Sequence, residues 1–340
     1  MNIPAIQHDV DLTSFNTFGV AARARSYAAI HDIEQLRTML QSRTQAEPLL
    51  ILGGGSNLLL TQDFPGLVLH IKLFGTRVFK EEPDATYVDA AAGENWHDFV
   101  RWTLDQELAG LENLSLIPGT VGATPIQNIG AYGVEMKDLF HSLQAVNVVD
   151  GSVRAFGHAA CGFAYRDSVF KHELKDRYVI TSVTFRLPRA AKLHLDYGEV
   201  RAELERMGCT APTARDASDA VCAIRRRKLP DPTVIGNAGS FFKNPLVEND
   251  VLARIQAIHG KVPHYPAPGG KTKLAAGWLI EQCGWKGKSL GRAGVHEQHA
   301  LVLVNRGGAT GAEILALART IQASVRERFP IELEPEPVIF

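Results

Sequence analysis

Residues 118–133, PGTVGATPIQNIGAYG, constrain the fold of this 340-residue chain more than any other stretch. They hold four glycines, two prolines and no charged side chain. Glycine and proline at that density break a helix, and a run this poor in charge is too apolar for an ordinary exposed loop. The rest of the chain must therefore bury a long irregular segment or wrap it around a large, mostly apolar ligand. In either case backbone amides supply the hydrogen bonds. A packed structural loop fits the same residues.

A second glycine run, GGGSN at 53–57, follows the apolar stretch PLLIL at 48–52, which reads as a short buried strand. A strand ending in three glycines lets the backbone approach a ligand closely, and its free N–H groups can form an anion-binding nest. The spacing is neither G-x-G-x-x-G, because Leu58 takes the last position, nor a Walker loop. An ordinary glycine-rich turn fits as well. Two such loops in one domain suit a dinucleotide-sized ligand better than a single phosphate.

Around these loops the periodicity predicts helices at 32–40, 95–106, 216–228, 275–283 and 310–329. Asp32 with Gln35, and Thr310 with Glu313, have capping-box spacing. Strands are expected at 67–71, 86–90, 177–187 and 300–305, with a hairpin over 146–156 around Asp150-Gly151. Strands grouped as hairpins beside helices give an α+β fold rather than regular βαβ alternation. Residues 188–215 hold no long apolar run, and the domain boundary is placed there. The length suits roughly two domains of about 150 residues each.

Charge excludes one class of partner. Lys and Arg number 36 against 37 Asp and Glu, so the net charge of -1 lacks the basic excess of a nucleic-acid binder. Four isolated cysteines without C-x-x-C spacing fit buried thiols in a reducing cytoplasm. The amino terminus has no signal-peptide pattern, and 49–60, the most apolar stretch, is too short to span a bilayer. His296 and His299 miss the H-E-x-x-H spacing, so no metal site is expected.

Four further stretches hold candidate chemistry. In FAYRDS, Arg166 sits between aromatics and could face an anion, although a surface pair with Asp167 is the simpler reading. Ser240, in GNAGSFFKNP, places a hydroxyl against two phenylalanines; it could donate a proton, or cap a local turn. The cluster Arg225-Arg226-Arg227-Lys228 ends a helix, where cations suit the dipole and a diphosphate would also bind. In LEPEPVIF, Pro enforces an extended tail that carries Glu336, and the terminal Val338, Ile339 and Phe340 suggest docking.

Together these stretches resemble a known family. NTFGV (16–20), ILGGGSN (51–57), AGENWHDFV (92–100), GLENLSLIPGTVGATPIQNIGAYG (110–133), FAYRDSVFK (163–171), KLPDP (228–232), GNAGSFFKNP (236–245), KLAAGWLIEQCG (273–284) and LEPE (333–336) occur in order. They resemble the UDP-N-acetylenolpyruvoylglucosamine reductase (MurB) family of peptidoglycan synthesis over about residues 15 to 340. The resemblance implies an FAD-binding fold of the vanillyl-alcohol-oxidase (PCMH) type over 1–190. A substrate-binding α+β domain would cover 191–330, and a segment at 331–340 would return to the active site.

It further implies a cytoplasmic, monomeric, NADPH-dependent flavin reductase with non-covalent FAD. Such an enzyme reduces the enolpyruvyl group of UDP-N-acetylglucosamine enolpyruvate to give UDP-N-acetylmuramate. Gly53, Gly54, Gly55, Ser56 and Asn57 would hold the pyrophosphate. Pro118, Gly119, Gly122, Gln127, Asn128, Gly130, Ala131 and Tyr132 would line the flavin. Arg166 matches the family arginine that stabilises the enolate, Glu336 its partner carboxylate, and Ser240 the proton donor. Tyr197 matches a loop tyrosine that closes over substrate in one subtype. Arg225, Lys228, Asn244, Tyr265 and Lys286 match substrate contacts. Pro337 after Glu336 departs from the family pattern. An oxidase of the same superfamily would not need Arg166, Ser240 and KLPDP together. A flavin-free binding protein would not need the intact glycine loops.

Overall fold

The computed structural model describes residues 4–340 and confirms an α+β architecture. Two compact units form from interleaved segments. The first comprises residues up to Val10, Ala24–Gly55 and Pro65–Arg227; the second comprises Asp11–Arg23, Ser56–Phe64 and Lys228–Phe340.

Two sheets build the first unit. In one, the strand Leu49–Leu52 pairs in parallel with Phe64–Ile71, Leu52 opposite His70. The helix Ile33–Ser42 covers this sheet with Leu36, Met39 and Leu40. Asp32 accepts the Gln35 amide at 2.7 Å, while the Gln35 side chain accepts from His31 one residue further back. The second sheet is antiparallel, in the order Val153–Gly157, Phe140–Asn147, Tyr178–Pro188, Ala85–Ala91, Thr76–Glu81. The helix Trp96–Asp105 packs on it, with Trp96 and Phe99 within 6 Å of the Phe185 ring.

The packing boundary differs from the expected 190/191. The helices Val200–Arg206 and Ala214–Lys228 join the first unit by packing Val200, Leu204, Ala220, Val221 and Ile224 against Tyr132 and Leu195. The first of them was unforeseen because Val200 and Leu204 are its only large apolar residues facing inward.

In the second unit the strands Gly236–Ser240, Val302–Asn305, Ala293–Val295 and Ser289–Leu290 form one sheet in that order. The helix Gly311–Arg328 buries Ile314, Leu317, Ile321 and Val325, and a full capping box of Thr310 and Glu313 starts it. Two early segments complete the unit. The side chain of buried Asn305 donates to the Phe18 carbonyl at 2.9 Å, and the Asn237 amide donates to Thr17. The tail strand Val338–Ile339 runs parallel to Leu58–Leu59.

Candidate functional site

In the first unit the two glycine loops adjoin. A Cβ on Gly53 would lie 2.6 Å from Thr120 Oγ1, and one on Gly54 would lie 3.1 Å from Gly119 Cα. Only glycine permits that approach. The loop at 118–120 is fastened from behind: Trp96 N–H donates to Gly119, and Val121 N–H donates to Glu94. These bonds leave the N–H groups of Gly54, Gly55, Gly119 and Thr120 without an acceptor among the described residues. Uncommitted amides on two touching loops, with only the Thr120 side chain between them, suit the oxygens of a diphosphate.

The remaining residues of the uncharged segment divide by role. Gly122 is buried, and a Cβ there would collide with Ala92 at 2.5 Å. Asn128 is fully buried with φ +42, and its side chain is committed: Nδ2 donates to Ala164 and Glu135, and Oδ1 accepts from the Lys137 amide. Both positions therefore shape the loop: the Gly122 N–H donates to Ala92, and the Asn128 N–H donates to Pro125. Pro118, Gln127, Gly130, Ala131 and Tyr132 keep part of their surface accessible.

Arg166 does not pair with Asp167. Asp167 instead binds His172 at 2.7 Å. Arg166 has φ +54 in a turn closed by reciprocal backbone bonds between Ala164 and Asp167. Its guanidinium donates to the carbonyls of Asn128 and Gly130, and Lys171 Nζ donates to its own carbonyl at 3.1 Å. The turn and the uncharged loop thus hold one arginine between them.

Arg225 departs further from the picture of a solvated helix end. It is half-buried, and its Nε donates to the Leu116 carbonyl at 3.2 Å. Its two Nη groups have no partner among the described residues. Burial is the main influence pulling its pKa below the usual value for arginine. A desolvated cation without a carboxylate is costly unless an anion arrives. Arg227, by contrast, pairs with Glu199 and Glu203. Tyr197 lies against Gly133, at a cleft of about 340 Å³ that Tyr132, Lys192, His194 and Asp196 also line. Asn113, to which the sequence assigns no role, is fully buried and bridges the Tyr132 and His194 carbonyls at 2.8 and 2.7 Å.

In the second unit, Ser240 ends the strand Gly236–Ser240 behind Gly239 at φ +68. Its hydroxyl makes no hydrogen bond among the described residues. Phe241 and Phe242 behind it are buried. The tail runs alongside: Glu336 N–H donates to the Phe241 carbonyl at 2.8 Å, Phe242 bridges Pro335, and the Asn57 side chain donates to the Glu336 carbonyl. Pro337, lacking an N–H, sits between two residues whose amides are both used. Asn244 Oδ1 accepts the Ala276 amide, and its Nδ2 has no partner among the described residues. Tyr265 is partly exposed, Lys286 pairs with Glu281, and Lys228 is exposed.

Residues 231–340 match the model of the UDP-N-acetylenolpyruvoylglucosamine reductase C-terminal domain, and residues 24–157 match an FAD binding domain. A UDP-N-acetylenolpyruvoylglucosamine reductase of Burkholderia orbicola is 56% identical over 333 residues, covering 97% of this chain and 95% of the relative. Its counterpart in Pseudomonas aeruginosa is 55% identical over 336 residues, covering 98% and 99%. Among solved structures, the Thermus caldophilus UDP-N-acetylenolpyruvylglucosamine reductase aligns with TM-score 0.70 at 25% identity, covering 99% of this chain and all of that one.

Proposed function

The chain belongs to the UDP-N-acetylenolpyruvoylglucosamine reductase family, and on that premise we propose that it reduces enolpyruvyl-UDP-N-acetylglucosamine to UDP-N-acetylmuramate with NADPH, as a cytoplasmic monomer. The adjoining glycine loops fit FAD, because their uncommitted amides match a diphosphate. Bound there without a covalent link, FAD would supply the hydride, taken from NADPH, that the vinyl methylene carbon of the substrate needs. Gly53 to Asn57 and the 118–132 segment hold it in this reading.

The protein's own groups handle the resulting charge and the proton. Hydride addition to the methylene carbon leaves an enolate conjugated with the substrate carboxylate. Arg166 stabilises it as a fixed cation whose orientation is set in advance by two backbone carbonyls. Glu336 is its carboxylate partner. Ser240 Oγ gives its proton to the second carbon and recovers one from solvent. A hydroxyl is a weak acid, but an enolate is a strong enough base to take its proton. Arg225, Lys228, Asn244, Tyr265 and Lys286 bind the UDP-sugar, and Tyr197 closes over it.

The observation that carries this reading is the Ser240 hydroxyl: it has no partner among the described residues, yet the backbone beside it is tied to the segment bearing Glu336. The test is spectroscopic. The purified protein is expected to be yellow, to bleach with NADPH without oxygen, and to recover colour on adding the enolpyruvyl sugar. A colourless protein overturns the flavin assignment. Ser240→Ala should still bleach with NADPH but reoxidise with substrate about 10²-fold or more slowly, a loss within the usual range for general acid catalysis. Normal reoxidation removes Ser240 from the mechanism.

A further inference from the structure

His97 stands in the first turn of the helix Trp96–Asp105, where Asn95 caps its amide at 2.9 Å. None of the roles assigned above uses it. Its Nδ1 accepts the Leu116 N–H at 3.0 Å. A nitrogen that accepts carries no proton, so the proton of the neutral ring lies on Nε2, which faces Cys222 Sγ at 4.0 Å. Leu116 has φ +59, a region that a branched side chain occupies only when its surroundings enforce it. Its two backbone groups supply that enforcement: the N–H goes to His97 and the carbonyl accepts Arg225 Nε. Leu116 is also the residue from which the chain enters Ile117-Pro118-Gly119. One imidazole therefore anchors the residue whose carbonyl fixes the Arg225 guanidinium plane and from which the uncharged loop starts.

We propose that His97 is a positioning residue for the anionic substrate: its neutral ring holds Leu116 in the left-handed conformation, so that the Leu116 carbonyl pins Arg225 with both Nη groups uncommitted. This rests on the reading of Arg225 as a UDP-sugar contact. Protonated His97 would set an N–H against the Leu116 N–H and release the peptide. The charged and titratable groups around the ring are Asp98 and Arg101 on its own helix and Cys222, Arg225 and Arg226 on the facing helix. Burial, followed by the cations, holds His97 below the usual histidine range, so the neutral ring is kept at neutral pH. The device fails only on the acid side.

Three variants test this in the flavin-loaded enzyme. In His97→Asn the amide oxygen takes the place of Nδ1 and cannot titrate. In His97→Gln it extends to the place of Nε2, and Leu116 loses its acceptor. His97→Gln should raise KM for the enolpyruvyl UDP-sugar about five- to tenfold with kcat and NADPH bleaching changed far less, the size of one or two lost hydrogen bonds. His97→Asn should recover most of the affinity. Wild-type KM should climb as pH falls below the ordinary histidine range, and that climb should be missing in His97→Asn. Arg225→Met separates the two readings. If it leaves KM unchanged, the Arg225 assignment is wrong; if it raises KM while His97→Gln behaves as wild type, the role of His97 alone is overturned. Equal losses in His97→Gln and His97→Asn, or an acid-side climb that persists in His97→Asn, also overturn it.

Discussion

At the residue scale, charge and burial make the informative pairs. His70 is buried on the strand Phe64–Ile71 and accepts or donates at 2.8 Å to Tyr27 Oη. Burial first, then the charges of Lys72 and His31, pull its pKa down to about 4. The unfolded chain regains the ordinary value near 6.5. Between those two values the unfolded state binds a proton that the folded state refuses, so stability is full above the upper value and falls as pH drops towards the lower. The loss through this one group is about 3 kcal/mol. Urea unfolding across that window should show the decline in the wild type and a shallower slope in His70→Asn. Equal slopes would mean that His70 does not carry the acid sensitivity. Arg166 and Arg225 teach a related point. The sequence suggests a carboxylate beside one and solvent around the other, but backbone carbonyls hold both.

At the element scale, the glycine loops and the helix ends obey local rules of different strictness. The helix Gly311–Arg328 follows its sequence closely, because a capping box and a regular apolar stripe are both short-range signals. The glycine loops are specified by what they meet. A Cβ on Gly54 would lie 3.1 Å from the backbone of Gly119, which has no side chain to move aside. Gly54→Ala should therefore push the loops apart. Purified Gly54→Ala is expected to keep its helical circular dichroism and lose most of its flavin absorbance per protein. Full flavin content would show that the close approach is not needed for the cofactor. The strand Thr76–Glu81 and the helix Asn249–His259 were not anticipated. The strand is exposed at nearly every position, and the helix buries only Leu252 and Ile255, so neither has a strong apolar period.

At the scale of the whole molecule, the second unit is not a contiguous stretch of chain. Residues 11–23 supply the Phe18 carbonyl to Asn305 and the Thr17 carbonyl to Asn237, and residues 56–64 supply the strand beside Val338. The glycines at 236 and 311 show how tightly these segments seat: a Cβ would come within 2.1 Å of the Phe18 carbonyl and 1.8 Å of the Leu60 carbonyl. A fragment of residues 228–340 expressed alone lacks these partners and leaves the buried Asn305 amide unsatisfied. It should show poor amide dispersion by NMR and no cooperative melting. A sharply dispersed, cooperatively melting fragment would refute the interleaving as a folding requirement.

The sequence alone determined the α+β class, the helices with strong caps and stripes, and which residue types stand as candidates for the chemistry. These are local or compositional properties, encoded within a few residues of each other. Only the tertiary structure decided that the division lies at 227/228, that Asp167 serves His172, that Asn128 and Gly122 support the loop they belong to, and that Leu116 is held left-handed by His97 and Arg225. Most of those join groups far apart in the chain, and even Asp167 and His172, five residues apart, meet only because of how the turn between them folds. Which polar group finds which partner depends on where the packed elements bring them, and no spacing along the sequence records it.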